Sequence, residues 1–403
     1  MAQNGKSITI IGGGIGGLAA ALSLLRAGFD VHVYEQVSGL REIGAGIVLT
    51  PNATRLLHRL GFRDPLERLG VAPLAWRQRR WQDGRTLLVS SLASMTGPSG
   101  ERLFYTSHRA DVLTMLIEAL PAERLHLGYR LTAFTDHGDR VEATFANGVR
   151  ASADALIGAD GIHSTVRKIL LGPEAPQFTG CIAYRGLVAA ERLTKLDLPF
   201  ESQLWMGPGR HFVHYFVQGG RLINFVCLID QDAWTQESWT EPGNPADALA
   251  AYDGWHSQVC SIIAAADNTF IWGLFDRPPL PRWSAGRVTL LGDACHPMLP
   301  FLAQGAAQAI EDGAALAVCL ATFGGIAEAL AHYQAVRLPR TAKIQAVARG
   351  NKTRNHLPDG PEQHDRDARM AAGAADWSIG ASAWVYDHDA ANAGPGNLGL
   401  PPE

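Results

Sequence analysis

The chain has 403 residues, too many for one ordinary hydrophobic core, so two domains or one elaborated domain is expected. Hydrophobic residues at 47% against 18% charged describe a globular protein, and a formal net charge of −4 gives no electrostatic case for binding nucleic acid or an anionic membrane surface. Five scattered cysteines, Cys181, Cys227, Cys260, Cys295 and Cys319, suggest neither a disulfide framework nor a zinc site, and fit a reducing, cytoplasmic setting. No apolar run is long enough to span a membrane, and the stretch Ile8 to Ile11 lacks the length and basic flank of a signal peptide. No metal centre and no internal repeat are expected.

In chain order, Ser7 to Ile11 is a short β-branched run that predicts a buried parallel strand. Gly12-Gly13-Gly14-Ile15-Gly16-Gly17 follows at once. An Ala/Leu-rich helix from Leu18 to Ala27 ends at Gly28, and Phe29 to Tyr34 alternates as a second strand with Glu35 at its end. This is a complete βαβ unit. Gly12 permits the tight turn, Gly14 lets the backbone approach a pyrophosphate, and Gly17 lets the helix pack closely on the strand. The phosphates would then meet the free N–H groups of the helix N-terminus, and Glu35 could accept from ribose hydroxyls.

Trp76 to Ser91 predicts a strand pair. Val149 to Asp160 predicts a strand ending in Gly158-Ala159-Asp160-Gly161, after which Ser164 can cap a helix from Thr165 to Leu171. The segment 176–270 alternates as strands at Gln203 to Trp205, His211 to Val217 and Arg221 to Leu228. Arg287 to Leu291 is another buried strand, closed by Gly292-Asp293, and a helix opens near Gly305 and runs to about Leu320. Residues 321–388 are expected to be helical, broken by a polar loop from Asn351 to Asp367. Residues 389–403 are expected to be a disordered tail.

Three separated motifs, Gly12 to Gly17, Asp160-Gly161 with Arg167, and Gly292-Asp293 through His296-Pro297, occur together with Arg109 in the segment Ser107 to Asp111. On these residues the chain resembles the single-component (group A) FAD-dependent aromatic hydroxylases over roughly residues 5 to 350. The segments Arg41 to Gly46, Ile182 to Gly186, Gly207 to Tyr215, His296 to Gln308 and Trp384 to Asp387 are most similar to the enzymes that hydroxylate salicylate, 3-hydroxybenzoate or 6-hydroxynicotinate. The resemblance implies an α/β (α+β) fold like that of para-hydroxybenzoate hydroxylase. It comprises a Rossmann-like FAD domain (1–75, 101–175 and 271–320), a β-sheet substrate domain (76–100 and 176–270) and C-terminal helices.

The resemblance further implies bound FAD, transient NADH or NADPH, and O2 as co-substrate, reacting through a flavin C4a-hydroperoxide with a small aromatic acid. A monomer or homodimer is expected. Asp293 would hold the ribityl chain, Arg109 would reach the cofactor near its pyrophosphate, and Arg41 joins the cofactor-binding set. Asp160 would serve the dinucleotide site and the passing nicotinamide. Gly12, Gly14, Gly17, Glu35 and Gly292 complete that set. The helix opening at Gly305 would aim its positive end at the flavin pyrimidine edge, stabilising reduced flavin by ~0.3–2 kcal/mol.

A hydroxylase must exclude water, hold the ring and favour the phenolate, and only the last requires a titratable group. On a regular strand His211, Val213 and Tyr215 face one way and Phe212, His214 and Phe216 the other, so His214 and Tyr215 cannot both enter one pocket. In the 3-hydroxybenzoate-type enzymes a histidine of a matching His-Tyr segment is the base, which favours His214. Tyr215 is the second candidate, because the hydroxynicotinate type uses a tyrosine nearby. His211, Pro300 and Phe301 are expected at the substrate pocket. Phe301 stands where several relatives carry His, and Pro300 where the 3-hydroxybenzoate type carries Gln, which argues against 3-hydroxybenzoate as the substrate. Val48 and Leu49 make the wall near Gly46 more apolar than in the hydroxynicotinate type. His296 reads as structural or flavin-adjacent. Competing readings are a hydroxylase of a larger ring (quinolone, phenazine or purine), a nicotinamide dehydrogenase without flavin, and a catalytically silent FAD protein. A flavin halogenase is disfavoured, because no Trp-x-Trp-x-x-Ile-Pro segment occurs.

Overall fold

The computed structural model describes residues 5–39, 45–234, 241–374 and 379–392. The predicted βαβ unit forms as strand Ser7–Ile11, helix Ile15–Arg26 and strand Asp30–Glu35. It seeds a six-stranded sheet in which Ser7–Ile11 lies between Ala155–Gly158 and Asp30–Glu35. Leu125–Leu127 extends one side, and Val288–Leu290 with Ser284–Ala285 extends the other. All pairings are parallel except the last, between Ser284–Ala285 and Val288–Leu290. Ile8, Ile10, Val31, Val33, Leu156 and Ile157 are buried in it, each contributing about 1.5–3 kcal/mol on transfer from water. The helices Ile15–Arg26 and Gly305–Thr322 pack on each other across this core, where any Cβ on Gly313 would lie 2.8 Å from the Ala20 backbone.

The expected long strand Val149 to Asp160 is two strands in different sheets. Arg150–Ala153 pairs with Val141–Phe145, whereas Ala155–Gly158 enters the parallel sheet. Asp154 sits at the break, where its carboxylate accepts from Ser7 N and Ser7 Oγ. A local hydrogen-bonding side chain ends the ladder there, which periodicity alone does not reveal.

An eight-stranded sheet carries the other half of the molecule. Its order is Glu241–Gly243, Thr269–Asp276, Gln177–Ala189, Leu222–Asp230, Arg210–Val217, Ser202–Gly207, Ala75–Arg80 and Thr86–Ser91. Thr269–Asp276 is one of its strands, so residues 271–276, expected in the dinucleotide unit, lie with the substrate sheet instead. One face packs under the helices Pro245–Ala250 and Ser257–Ala264, around buried Trp205, Phe212, Phe225 and Tyr252. The opposite face looks toward the parallel sheet.

Two expectations at the C-terminal end change. The helix Ile326–Asn355 continues past Asn351, and the next helix already begins at Pro361, so the break is residues 356–360. Proline at the first helical position restarts the chain early. Of the tail, Ala390–Asn392 forms a helical turn with Ala390 and Ala391 in the main core, held by Arg59 to Asp389 at 2.6 Å; residues 393–403 lie outside the described residues. Among the described residues no helix is long and apolar enough to cross a membrane.

Candidate active site

A cavity of about 760 Å³ runs from the glycine loop to the free face of the large sheet. Gly12 has φ +112°, and a Cβ there would lie 2.3 Å from the Ala159 carbonyl. At Gly17 it would lie 2.1 Å from the carbonyl of Gly12, so strand, loop and helix can close only on hydrogen. Gly14, by contrast, has no neighbour within 4 Å of its Cβ direction and lines the cavity, leaving the open cradle a pyrophosphate needs. Glu35 accepts from Gly13 N at 2.7 Å and from Val37 N at 3.0 Å, which shapes the loop and leaves lone pairs for a ribose. Arg109, Gly292, Asp293 and Gly305 all line the cavity, and Asp293 is exposed to it. Arg41 lies outside the described residues.

Asp160 is not on the cavity wall. It accepts from Ser164 Oγ at 2.5 Å, Thr165 N at 2.7 Å and Val166 N at 3.0 Å, so its carboxylate caps the helix Thr165–Leu171. Burial nevertheless raises its pKa. Its neighbours Ala159, Gly161 and Ile162 are the cavity residues. Arg167 donates to the carbonyls of Ile162 at 2.6 Å and Ala294 at 2.8 Å, joining the two acidic motifs around the cavity.

Sequence reading missed the buried network behind Gly292-Asp293. Asp312 accepts from Gly292 N at 2.9 Å and pairs with His296 Nε2 at 2.5 Å and Arg337 Nε at 2.7 Å. Glu311 is paired with Arg337 at 2.5 Å and Arg340 at 2.8 Å, and accepts from Asn52 at 2.6 Å. Burial alone would raise both acids. For Asp312 the pull of His296 and Arg337 wins, for Glu311 that of Arg337 and Arg340, and both fall to about 2. The network ties the first turns of the helix Gly305–Thr322 to the Gly292 turn, with Ala303 held at φ +52° just before it. Charged residues inside an Ala-rich helix gave the only signal. The cluster of Cys295, His296 and Asp312 has its ligand atoms within 4.8 Å of one another, but Asp312 is already engaged by Arg337, His296 and Gly292.

The cavity floor is built from rows across the sheet. Arg185, Val226, Val213, Leu204 and Gln78 are successive register partners and all line it. His211 and Tyr215 occupy the two flanking rows of the same face, roughly 13 Å apart along the strand. The guanidinium of Arg185 lies over the Trp272 ring at 4.0 Å. Tyr215 is held above its ordinary pKa by burial, against the opposing pull of Arg185.

His214 is not brought to this wall. It faces the core beneath the helix Ser257–Ala264, 3.3 Å from Gln258 Nε2 and beside Phe212. Burial, with Arg79 nearby, drops its pKa to about 3, so it is a neutral core histidine. Strand alternation had already separated it from Tyr215; what was missing was which face is open. Pro300 and Phe301 line the cavity, and Phe301 lies 5.4 Å from the His211 ring. Trp384, Val385 and Tyr386 line it from the C-terminal segment, fixed by Arg340 to the carbonyls of Trp384 and Val385, each at 2.9 Å.

Residues 6–348 match the family described as FAD binding domain. The chain is 40% identical over 402 residues to a 3-amino-4-hydroxybenzoate 2-monooxygenase of Streptomyces platensis, covering 98% of this chain and 99% of that one. It is 40% identical over 349 residues to a 6-hydroxynicotinate 3-monooxygenase of Pseudomonas fluorescens, covering 85% and 90%. Among solved structures, HpxO of Klebsiella pneumoniae in complex with FAD and uric acid matches with a TM-score of 0.82 at 28% identity, covering 97% of each chain. A salicylate hydroxylase substrate complex matches with a TM-score of 0.83 at 27% identity, covering 97% and 98%.

Proposed function

The chain belongs to the FAD-binding family of aromatic monooxygenases, and from that premise we propose that it hydroxylates a single-ring aromatic or heteroaromatic acid carrying a hydroxyl para to its carboxylate. The relatives named for 3-amino-4-hydroxybenzoate and 6-hydroxynicotinate share that arrangement. The observation that carries the reading is the continuity of one cavity from the Gly14 cradle to a floor bearing Arg185, His211 and Tyr215. A ligand site of this volume, largely apolar with a few placed polar groups, suits a small ring lying against a larger cofactor.

Bound FAD supplies the redox chemistry, with NADH or NADPH as reductant and O2 as co-substrate. The protein's own part is binding, orientation and proton handling. The Val213–Val226 row offers the ring a flat apolar bed. Arg185 gives the carboxylate a cation, and Trp272 holds that cation in place. His211 faces the ring's hydroxyl and accepts its proton, which makes the ring more nucleophilic. Tyr215 bounds the other end of the bed. Trp384 to Tyr386 and Leu299 to Leu302 keep water from the reacting face.

The test is oxidation of NADH and NADPH by the purified FAD-loaded protein with 3-amino-4-hydroxybenzoate, 6-hydroxynicotinate, 4-hydroxybenzoate, 3-hydroxybenzoate and salicylate, with peroxide recorded alongside. Stimulation by a para-hydroxy acid with little peroxide is expected. A yellow protein stimulated by none of them, or only by larger rings such as urate, refutes the proposed substrate class.

A further inference from the structure

His211 is the inner end of a chain of three side chains that leads out of the cavity. Its Nδ1 lies 2.6 Å from His356 Nε2, and His356 Nδ1 lies 2.9 Å from Asp230 Oδ1. His211 and His356 are buried, whereas the Asp230 side chain is 41% exposed, so the chain ends in solvent. Three elements converge to build it. Arg210–Val217 supplies His211, Leu222–Asp230 ends on Asp230, and His356 is the C-cap of the helix Ile326–Asn355. The turn between strands is tied in as well, because Gly209 N donates to the His356 carbonyl at 3.0 Å and Asp230 N to the Gly209 carbonyl at 2.8 Å.

The polarity of the chain follows from its outer end. Burial opposes ionisation of Asp230, but its bond to His356 and the Lys352 ammonium at 3.2 Å outweigh that, so its pKa lies below the usual value and it is an acceptor only. His356 therefore carries its proton on Nδ1. In the state where each ring carries one proton, His356 Nε2 is an acceptor and His211 donates from Nδ1. That leaves His211 Nε2 bare. Among the described residues no protein group bonds it, and His211 lines the cavity.

We infer that Asp230 and His356 are positioning residues that present His211 Nε2 to the substrate as a base and carry the proton away to solvent. This rests on the proposed hydroxylase reading. The substrate O–H bond breaks toward Nε2. The Nδ1 proton of His211 passes to His356 Nε2, the Nδ1 proton of His356 passes to the Asp230 carboxylate, and Asp230 releases one proton to water. Afterwards both rings carry their proton on Nε2, and that of His211 donates to the new phenolate. No group changes oxidation state. The other polar groups around the chain are the Tyr252 hydroxyl on the His211 carbonyl at 2.6 Å, Arg210 beside it, Lys352 on Asp230, and Tyr215, Arg185 and Arg354 on the cavity wall. Of these, Lys352 touches a relaying atom, and its ammonium helps keep Asp230 ionised.

The test uses the flavin-loaded full chain, wild type, D230N and H356Q, in two measurements. In nitrogen NMR with isotope-labelled histidine, the wild-type His211 signals, identified by their loss in H211Q, are expected as the Nδ1–H tautomer, and this state is lost or mixed in D230N. Separately, 4-hydroxy-3-nitrobenzoate, coloured when ionised, is bound at saturation and titrated. Its ionisation in the site should move up by about one pH unit, about a tenfold loss of phenolate, in both variants. Affinity for 3-nitrobenzoate, which has no hydroxyl to ionise, should not change. A wild-type His211 protonated on Nε2, or variant titrations that superimpose on the wild type, overturns the relay. If the nitrophenol fails to bind wild type at all, the substrate reading falls, and the tautomer measurement alone decides the relay.

Discussion

Replacing Arg337 by methionine tests whether the buried acids organise the flavin site. Arg337 is 1% exposed and donates to Asp312 at 2.7 Å, to Glu311 at 2.5 Å and to Gln308 Oε1 at 2.8 Å. Methionine fills similar volume, so the loss is electrostatic. Glu311 keeps Arg340, but Asp312 keeps only His296 and the Gly292 N–H. Removing one partner of a buried ionic cluster costs about 3–5 kcal/mol. With an unfolding entropy of about 2.1 cal/mol/K per residue over 403 residues, this amounts to a fall of roughly 4–6 °C in the melting midpoint. Because Asp312 anchors Gly292 next to Asp293, flavin release should also rise. The assay is a melting curve followed by flavin fluorescence and by circular dichroism, with R337K as the variant that keeps charge but not the fork. An R337M protein that melts with the wild type and keeps its flavin would refute the account of the network.

Four further outcomes are expected. Asp293→Ala should weaken flavin retention in gel filtration, since Asp293 is the carboxylate exposed to the cavity; a fully loaded mutant would remove that role. Asp312 and Glu311 are depressed to about 2, so the stability they confer is complete above their ordinary pKa values and is lost as pH falls toward about 2. Urea unfolding across that window should show a steep acid limb that flattens in D312N, and an unchanged limb would count against the pairing. His214→Ala should lower the melting temperature yet leave turnover per bound flavin and its pH profile intact, because the side chain faces the core; a tenfold loss of turnover, about 1.4 kcal/mol, would return it to the mechanism. Gly46→Ala would place a methyl 2.7 Å from the Tyr215 hydroxyl and 2.5 Å from Asn224 Cγ, so KM for the aromatic acid should rise at unchanged flavin content, and an unaltered KM would mean that Tyr215 does not bound the ring.

What the chain made legible was whatever depends on neighbours in sequence. Glycines at Gly12, Gly14 and Gly17, the strand before them and the helix after them interact locally, so their pattern carries their role. The cap at Ser164 was readable for the same reason, with its Oγ accepting from Arg167 N at 2.9 Å. Asp160 shows where this fails. An acid at a strand end suits either a ligand or the next helix, and only the fold shows that its oxygens are already engaged. The cavity face failed differently. Alternation sorted His211, Val213 and Tyr215 from Phe212 and His214, but both faces of this sheet are buried, one under helices and one under the cavity. Hydrophobicity therefore could not tell them apart. His356 was hidden further still, since it reaches His211 across 145 residues and sits where the composition read as a polar loop. The same burial that made the open face illegible gives it its chemistry. It holds His211 well below its ordinary pKa, chiefly through desolvation, so the ring stays neutral and able to accept a proton. A base so weakened gains from an acceptor behind it, and the side chain found there is the one whose own proton points at Asp230.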